Sequence, residues 1–248
     1  VTLFEALLLL VGGAFAGAVN AMAGGGSMLT VPLLVLAGVP GNIANGSNRV
    51  GILTSNAATL VSYLREGVKV PGNLAPIMAP AVIGAFLGVN VISKLTDDAF
   101  ERVFGLIMIP LILLTIIKPK VSTEQDPWPV PVTIAVFFGI GIYAGAIQAG
   151  VGLLLLAALS RSGFDLVTAN VVKVIFTFFA TCIALPVFIY NGDVRWAQAF
   201  LLAIGLSLGG WVGAKLAVRG GDKWIRIVMI VAAIALALRL LGFWDWVF

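Results

Sequence analysis

The chain has 248 residues, 60% of them hydrophobic and 10% charged, with a mean hydropathy of +1.11; such values lie outside soluble-domain usage and place most of it in lipid. Its net charge of +4 comes from basic residues scattered over short connections, with no run of the kind that binds nucleic acid. A single cysteine, Cys182, and no histidine exclude an internal disulfide framework and any histidine or cysteine metal cluster.

The first apolar stretch, Leu3 to Ala37, is interrupted by the polar, glycine-rich segment Asn20-Ala-Met-Ala-Gly-Gly-Gly-Ser27. Ala21 to Ala23 mimics a signal-peptide cleavage site, but no lysine or arginine precedes the stretch and its second half has a counterpart deep in the chain, so it is read as part of the fold. Three spans follow, Asn45 to Leu64, Asn73 to Ser93 and Ala99 to Ile117. The polar stretch Lys118 to Pro131 reads as a linker. Beyond it come Val130 to Leu159, with a weaker break at Gln148-Ala-Gly-Val-Gly152, then Val167 to Tyr190, Trp196 to Ala217 and Trp224 to Leu241. The apolar spans have roughly the 20 residues needed to cross a bilayer.

The chain is a tandem duplication. An offset of 128 pairs Gly13 to Ala21 with Gly141 to Ala149 and sets Asn20 opposite Gln148. Near 124 to 125, Arg49 falls on Lys173 and Gly84 to Gly88 on Gly209 to Gly213. If each broken segment enters and leaves on one side, a half crosses three times and the halves are inverted. Arg65, Lys69, Lys118, Lys120, Arg161, Lys215, Arg219, Lys223 and Arg226 then lie on one face, against Lys94, Arg102, Arg195 and Arg239. The parallel alternative gives six against seven, which is no bias. The positive-inside rule favours inversion, with both termini outside and the linker in the cytoplasm. The expected fold is an all-α integral membrane bundle of two inverted repeats, each a broken helical hairpin plus three transmembrane helices. Residues 1–117 form the first repeat, 118–131 the cytoplasmic linker and 132–248 the second repeat, in a single membrane domain.

Gly13/Gly17, Gly84/Gly88, Gly141/Gly145 and Gly209/Gly213 have the small-xxx-small spacing that lets helix backbones approach closely. Packing inside the monomer is expected, a homodimer interface being the alternative. Trp128, Trp196, Trp224, Trp244 and Trp246 sit near segment ends, as interfacial anchors do.

All eleven carboxylates fall at segment ends or in loops, so an embedded acidic proton relay is missing. Two cations do look embedded, Arg49 and Lys173, at matching positions after the two breaks. A charge in the hydrocarbon costs at least ~2.5 kcal/mol, so a symmetric pair suggests convergence on something negative; the alternative is snorkelling to the surface. The helix start at Ser27 or Met28, behind Gly24, Gly25 and Gly26, offers unpaired N–H groups to an anion; a tight turn without a ligand is the alternative. Ser27 and Thr30 carry hydroxyl donors, and Asn20 and Gln148 carry amide donors. Asn45, Ser47, Asn48, Thr54, Ser55, Asn56 and Thr59 make the second span unusually polar, as would suit a pathway, although hydroxyls there can also bond back to their own helix.

Gly17-Ala-Val-Asn-Ala-Met-Ala-Gly-Gly-Gly-Ser27 with Val31-Pro-Leu33, Ala44-Asn-Gly-Ser-Asn-Arg49, Tyr63-Leu-Arg-Glu-Gly67 and Gly84-Ala-Phe-Leu-Gly88 together resemble the sulfite exporter TauE/SafE family of membrane permeases. The resemblance implies a bacterial inner-membrane permease for small sulfur-containing anions (sulfite, thiosulfate or organosulfonates), not an enzyme, with no bound cofactor. The second hairpin departs from the pattern, with Leu153 to Leu156 where the first has Gly25 to Met28. The expected substrate-binding residues are Asn20, Gly24, Gly25, Gly26, Ser27, Arg49, Gln148 and Lys173, the expected partners a small sulfur-containing anion and the lipid bilayer. A passive anion channel is the nearest alternative; an intramembrane lipid-phosphate enzyme would need a base or metal ligands that the span interiors lack.

Overall fold

The structure, a computed structural model, describes residues 1–117 and 128–240, with side chains described through residue 111 and from 128 to 219. Most of the expected linker, 118–131, and the terminal tryptophans Trp244 and Trp246 lie outside these residues. The described chain is all helix and connection, without a strand: α1 (Leu3–Ala23), α2 (Ser27–Leu36), α3 (Gly41–Arg65), α4 (Ala75–Ile92), α5 (Asp97–Ile117), α6 (Val130–Ala146), α7 (Val151–Arg161), α8 (Leu166–Tyr190) and α9 (Trp196–Leu240). Four of them, α1, α4, α8 and the Trp196–Arg219 part of α9, are long and apolar enough to cross a membrane. Helix α3 matches α8 in length, 25 residues, but is polar along one face.

Local chemistry sets the breaks. Helix α1 starts in a capping box, where Thr2 Oγ1 accepts from the Glu5 N–H at 3.2 Å and Glu5 Oε2 accepts from the Thr2 N–H at 2.9 Å. It stops at Gly24, whose φ of 76° is left-handed and suits glycine. After the turn the chain folds back: a Cβ on Gly26 would strike the Ala16 carbonyl, and one on Gly12 would strike the Leu33 side chain. In the second break Gln148 takes the left-handed conformation (φ 65°), followed by Gly150 (φ 70°). Helix α7 then returns along α6, with Leu155 and Leu159 packed in one cluster with Phe137 and the Arg161 guanidinium 5.6 Å from the Trp128 ring centre.

The four small-residue pairs build two helix crossings inside the chain. Gly13 and Gly17 meet Leu202, Leu206 and Gly210 while Gly209 and Gly213 meet Ala14 and Ala18, joining α1 to α9. Gly84 and Gly88 meet Phe138 and Ile142 while Gly141 and Gly145 meet Ala81 and Ala85, joining α4 to α6. Each crossing therefore joins a broken hairpin of one half of the sequence to a helix of the other half.

Two end contacts orient α3. At its start the Asn42 N–H donates to Asp97 Oδ1 (2.8 Å) and Ser47 Oγ accepts from the Arg195 N–H (2.8 Å), so the first turns of α3, α5 and α9 share one end of the bundle. At its finish Glu66 pairs with Arg219 at 2.9 Å.

One expected boundary is corrected. Helix α9 runs unbroken over 45 residues where two spans, Trp196 to Ala217 and Trp224 to Leu241, were expected, so three separate helices do not follow the second hairpin. Glycine and charge at Arg219 to Lys223 read as a turn, yet no proline removes a helical hydrogen bond there, and glycine can stay helical. At 1.5 Å per residue the element is about 67 Å long, more than twice a ~30 Å hydrocarbon core.

Helix α8 starts on Asp165, whose Oδ1 accepts from the Val167 and Thr168 N–H groups at 3.0 and 3.1 Å. Burial pushes this carboxyl's pKa up, but the hydrogen bonds from Thr168 and Val167 outweigh it and hold it below the usual carboxylate range. Asp165→Ala is expected to lower stability by about 1 kcal/mol, read as a fall in thermal midpoint in detergent. With a folded pKa below the unfolded ~3.9, the carboxylate's contribution is present above that unfolded value and fades as pH falls through the folded one.

Candidate functional site

The two hairpin tips meet inside the bundle. A Cβ on Gly24 would lie 2.5 Å from the Gly152 carbonyl carbon, one on Gly152 would lie 2.4 Å from the Gly24 oxygen, and Ser27 Oγ accepts from the Gly150 N–H at 3.0 Å. Only residues without a side chain allow backbones this close. Beside the contact lies a small cavity lined by Asn20, Ser27, Ile52, Gln148, Val151, Gly152, Lys173 and Thr177. It has room for about one water molecule. Ile52 lies 11 residues into α3, about 16 Å along its axis.

A helix that stops inside a membrane leaves its last carbonyls without partners, and in lipid each such group is costly. Here each half of the chain caps the broken helix of the other. Arg49, on α3, donates through Nη1 to the Ala144 carbonyl (2.6 Å) and Gln148 Oε1 (2.8 Å), and through Nη2 to the Gly145 and Ala146 carbonyls (2.8 and 3.0 Å). Asn45 Nδ2 adds a second donor to the Ala146 carbonyl at 2.8 Å. Lys173, on α8, donates through Nζ to the Asn20 carbonyl and Asn170 Oδ1 (both 2.6 Å) and to the Ala21 carbonyl at 3.4 Å. Tyr63 Oη donates to the Ala21 carbonyl at 2.9 Å, and Asn170 Nδ2 to the Met22 carbonyl at 3.3 Å. Cations at helix C-termini also meet the negative end of the macrodipole.

Arg49 is 0% and Lys173 1% exposed, which removes the snorkelling alternative. Neither cation has a carboxylate among its hydrogen-bonding partners, and no carboxylate lines the cavity. The two cations are thus met by carbonyl and amide dipoles and, for Arg49, by the Phe188 ring with its centroid 5.5 Å from the guanidinium carbon. The N-termini of α2 and α7, at Ser27 and Val151, open onto the same cavity and add positive potential.

Of the eight expected residues, Asn20, Ser27, Gln148 and Lys173 come together around the cavity. Ser27 accepts one hydrogen bond there and its hydroxyl donates to no group among the described residues, whereas Gln148 uses Oε1 for Arg49 and Nε2 for Thr181 (2.8 Å). Arg49 stands behind Gln148, outside the lining. Gly24, Gly25 and Gly26 form the tip without lining the cavity: Gly24 abuts Gly152, Gly26 abuts its own hairpin and Gly25 faces Leu153. Thr30 is turned away, its hydroxyl donating to the Ser27 carbonyl at 3.0 Å. Ile52 and Val151 carry no polar signal in the sequence that could have marked them. Asn170 becomes visible only as the partner of Lys173.

The caps also reset the internal alignment. Lys173 takes the carbonyls of residues 20 and 21, Arg49 those of 144 and 145, and the left-handed positions are 24 and 148, so corresponding positions lie 124 apart. Gln148 corresponds to Gly24, and the pairing of Gln148 with Asn20 at an offset of 128 is one helical turn out. A small-xxx-small pattern repeats every four residues and matches itself after a slip of four.

The family model of the Sulfite exporter TauE/SafE family matches residues 9–240. A probable membrane transporter protein of Sinorhizobium is 31% identical over 92% of this chain and 88% of its own length. Probable membrane transporter proteins of Escherichia coli and Bacillus subtilis are each 24% identical, covering 91% and 95% of this chain and 86% and 97% of their own. No solved structure matches significantly.

Proposed function

Because this chain belongs to the Sulfite exporter TauE/SafE family of membrane transporters and is a multi-pass protein of the bacterial inner membrane, we propose that it moves a small sulfur oxyanion (sulfite, thiosulfate or an organosulfonate) outward through a site between the two hairpin tips. The observation that carries this reading is the pair of buried, carboxylate-free cations flanking a cavity onto which two helix N-termini open. Asn20, Ser27 and Gln148 at the cavity wall supply the donors, and the glycine turn Gly24 to Gly26 shapes the tip beside them. Lys173 at the wall and Arg49 behind Gln148 hold the potential positive.

The halves are read as inverted repeats, which the reciprocal capping and reciprocal helix crossings support. With the positive-inside assignment, the shared start of α3, α5 and α9 faces outward and the Glu66–Arg219 end faces the cytoplasm. A cavity with room for about one water admits an oxyanion only when the tips part, so movement of the halves about the site is required. The protein is read as a transporter rather than an enzyme because its family and relatives are membrane transporters and the lining holds no Asp, Glu, His or Cys that could ligate a metal.

An inside-negative potential of 100 mV drives a monovalent anion outward with ~2.3 kcal/mol, roughly a fiftyfold gradient. Sulfite or sulfonate flux in proteoliposomes is therefore expected to follow an imposed potential, inside-negative vesicles losing anion faster. Flux indifferent to the potential would rule out this electrogenic mechanism.

A further inference from the structure

Six buried side-chain atoms among the described residues have no hydrogen-bond partner, and five belong to one short run of α3: Asn42 Oδ1, Asn45 Oδ1, Asn48 Oδ1 and Nδ2, and Arg49 Nε. Asn42 is 4% exposed, and Asn45, Asn48 and Arg49 are 0%. At 100° per residue they share an arc of about 120° with Ile52 and Asn56. Ile52 lines the cavity, Asn45 reaches the end of α6 and Asn56 donates to Thr177 at 2.9 Å, so this is the face of α3 that looks onto the site. The adjoining side packs on α9, where Ser55, about 20° round the helix from Asn48, donates through Oγ to the Leu206 carbonyl at 2.9 Å.

Packing does not require amides here. At the 124-residue offset set by the caps, Asn42, Asn45 and Asn48 correspond to Leu166, Ala169 and Val172, and all three of those pack in an apolar cluster. The buried polar side chains of α8 (Asn170, Lys173, Thr177 and Thr181) are all hydrogen-bonded. The run climbs from the end where Asn42 meets Asp97, over about 15 Å, to the cavity level at Ile52. Buried amides without partners are costly in a closed bundle and normal in a wetted one.

Resting on the transport reading above, we infer that Asn42, Asn45 and Asn48 line a passage between the α3 N-terminal face and the cavity, closed in this conformation, in which water and the oxyanion meet the amides when the hairpin tips part. The passage belongs to one half only, which makes the route one-sided although the scaffold is duplicated.

The test is cysteine accessibility in the full chain carrying Cys182→Ser, with Asn42→Cys, Asn45→Cys and Asn48→Cys made singly and probed by a membrane-impermeant cationic methanethiosulfonate in intact cells and inverted vesicles. Labelling of all three from the α3 N-terminal face alone, slower with depth, is expected, with Leu166→Cys, Ala169→Cys and Val172→Cys unlabelled. Protection of Asn45→Cys and Asn48→Cys from both faces would overturn the passage. Ethanesulfonate should slow labelling at Asn48→Cys; labelling that proceeds but ignores ethanesulfonate would leave the passage standing and remove the anion. A second variant guards against misfolding: Asn48→Leu should match or exceed the wild-type thermal midpoint while flux falls at least tenfold. A lowered midpoint with unchanged flux would make Asn48 a packing residue and sink the inference.

Discussion

Arg49→Ala is expected to lower stability by about 3 kcal/mol and flux by at least tenfold. The substitution removes four hydrogen bonds at once, to the Ala144, Gly145 and Ala146 carbonyls and to Gln148 Oε1. Ala146 keeps Asn45, but the other acceptors lose their guanidinium donor at the buried end of α6. Each abandoned buried group costs about 1–3 kcal/mol. Water entering the vacated space recovers part of this, and losing the charge itself removes a desolvation cost, which is why the total stays near the low end of the sum. Arg49→Lys keeps the charge but only three donors on a compact head, so its thermal midpoint in detergent should fall between wild type and Arg49→Ala. Lys173→Met, close in volume, should be milder for stability because the Ala21 and Met22 carbonyls keep Tyr63 and Asn170. A wild-type midpoint in Arg49→Ala would mean that the end of α6 does not depend on this cap.

Gly88→Val should prevent accumulation of folded protein. A Cβ there would lie 1.9 Å from the Ile142 carbonyl oxygen, and across the same contact a Cβ on Gly145 would lie 2.0 Å from the Ala85 carbonyl oxygen. The obstacle is backbone on both sides, so relief requires α4 and α6 to separate along their whole crossing and give up the contacts at Gly84 and Gly141 too. Overpacking a core costs about 1–3 kcal/mol when side chains can move aside; here they cannot, and about 3 kcal/mol or more is expected. Gly139→Ala, on the same helix α6 with nothing within 4 Å of the added Cβ, should be neutral or gain up to about 1 kcal/mol of helix propensity. Yield of monodisperse protein after extraction separates the two. Equal yields would show that α4 and α6 do not depend on this close approach.

Much of the architecture is legible in the residues because its causes are local. Apolar runs of bilayer length, the Gly24-Gly-Gly-Ser27 break and the four small-xxx-small pairs each act through lipid or backbone sterics within a few residues, and the helices and turns appear where those rules put them. The missing break in α9 follows from the same locality, since glycine and charge permit a turn without compelling one. The site was legible in part. Asn20, Ser27, Gln148 and Lys173 share one cavity, yet Arg49 stands behind the lining and Ile52 and Val151, with no polar atom to betray them, help form it.

The sequence by itself placed the chain in a bilayer and set one cation, Arg49 or Lys173, after each of two broken apolar segments. Only the tertiary structure decided what those cations touch. Their backbone carbonyl partners lie 95 to 153 residues away, on the broken helix of the opposite half, and a periodicity of four cannot distinguish one internal register from another slipped by a turn. Hydrophobicity and spacing act along the chain, whereas a carbonyl left open at a helix end takes whichever donor the packed bundle brings to it.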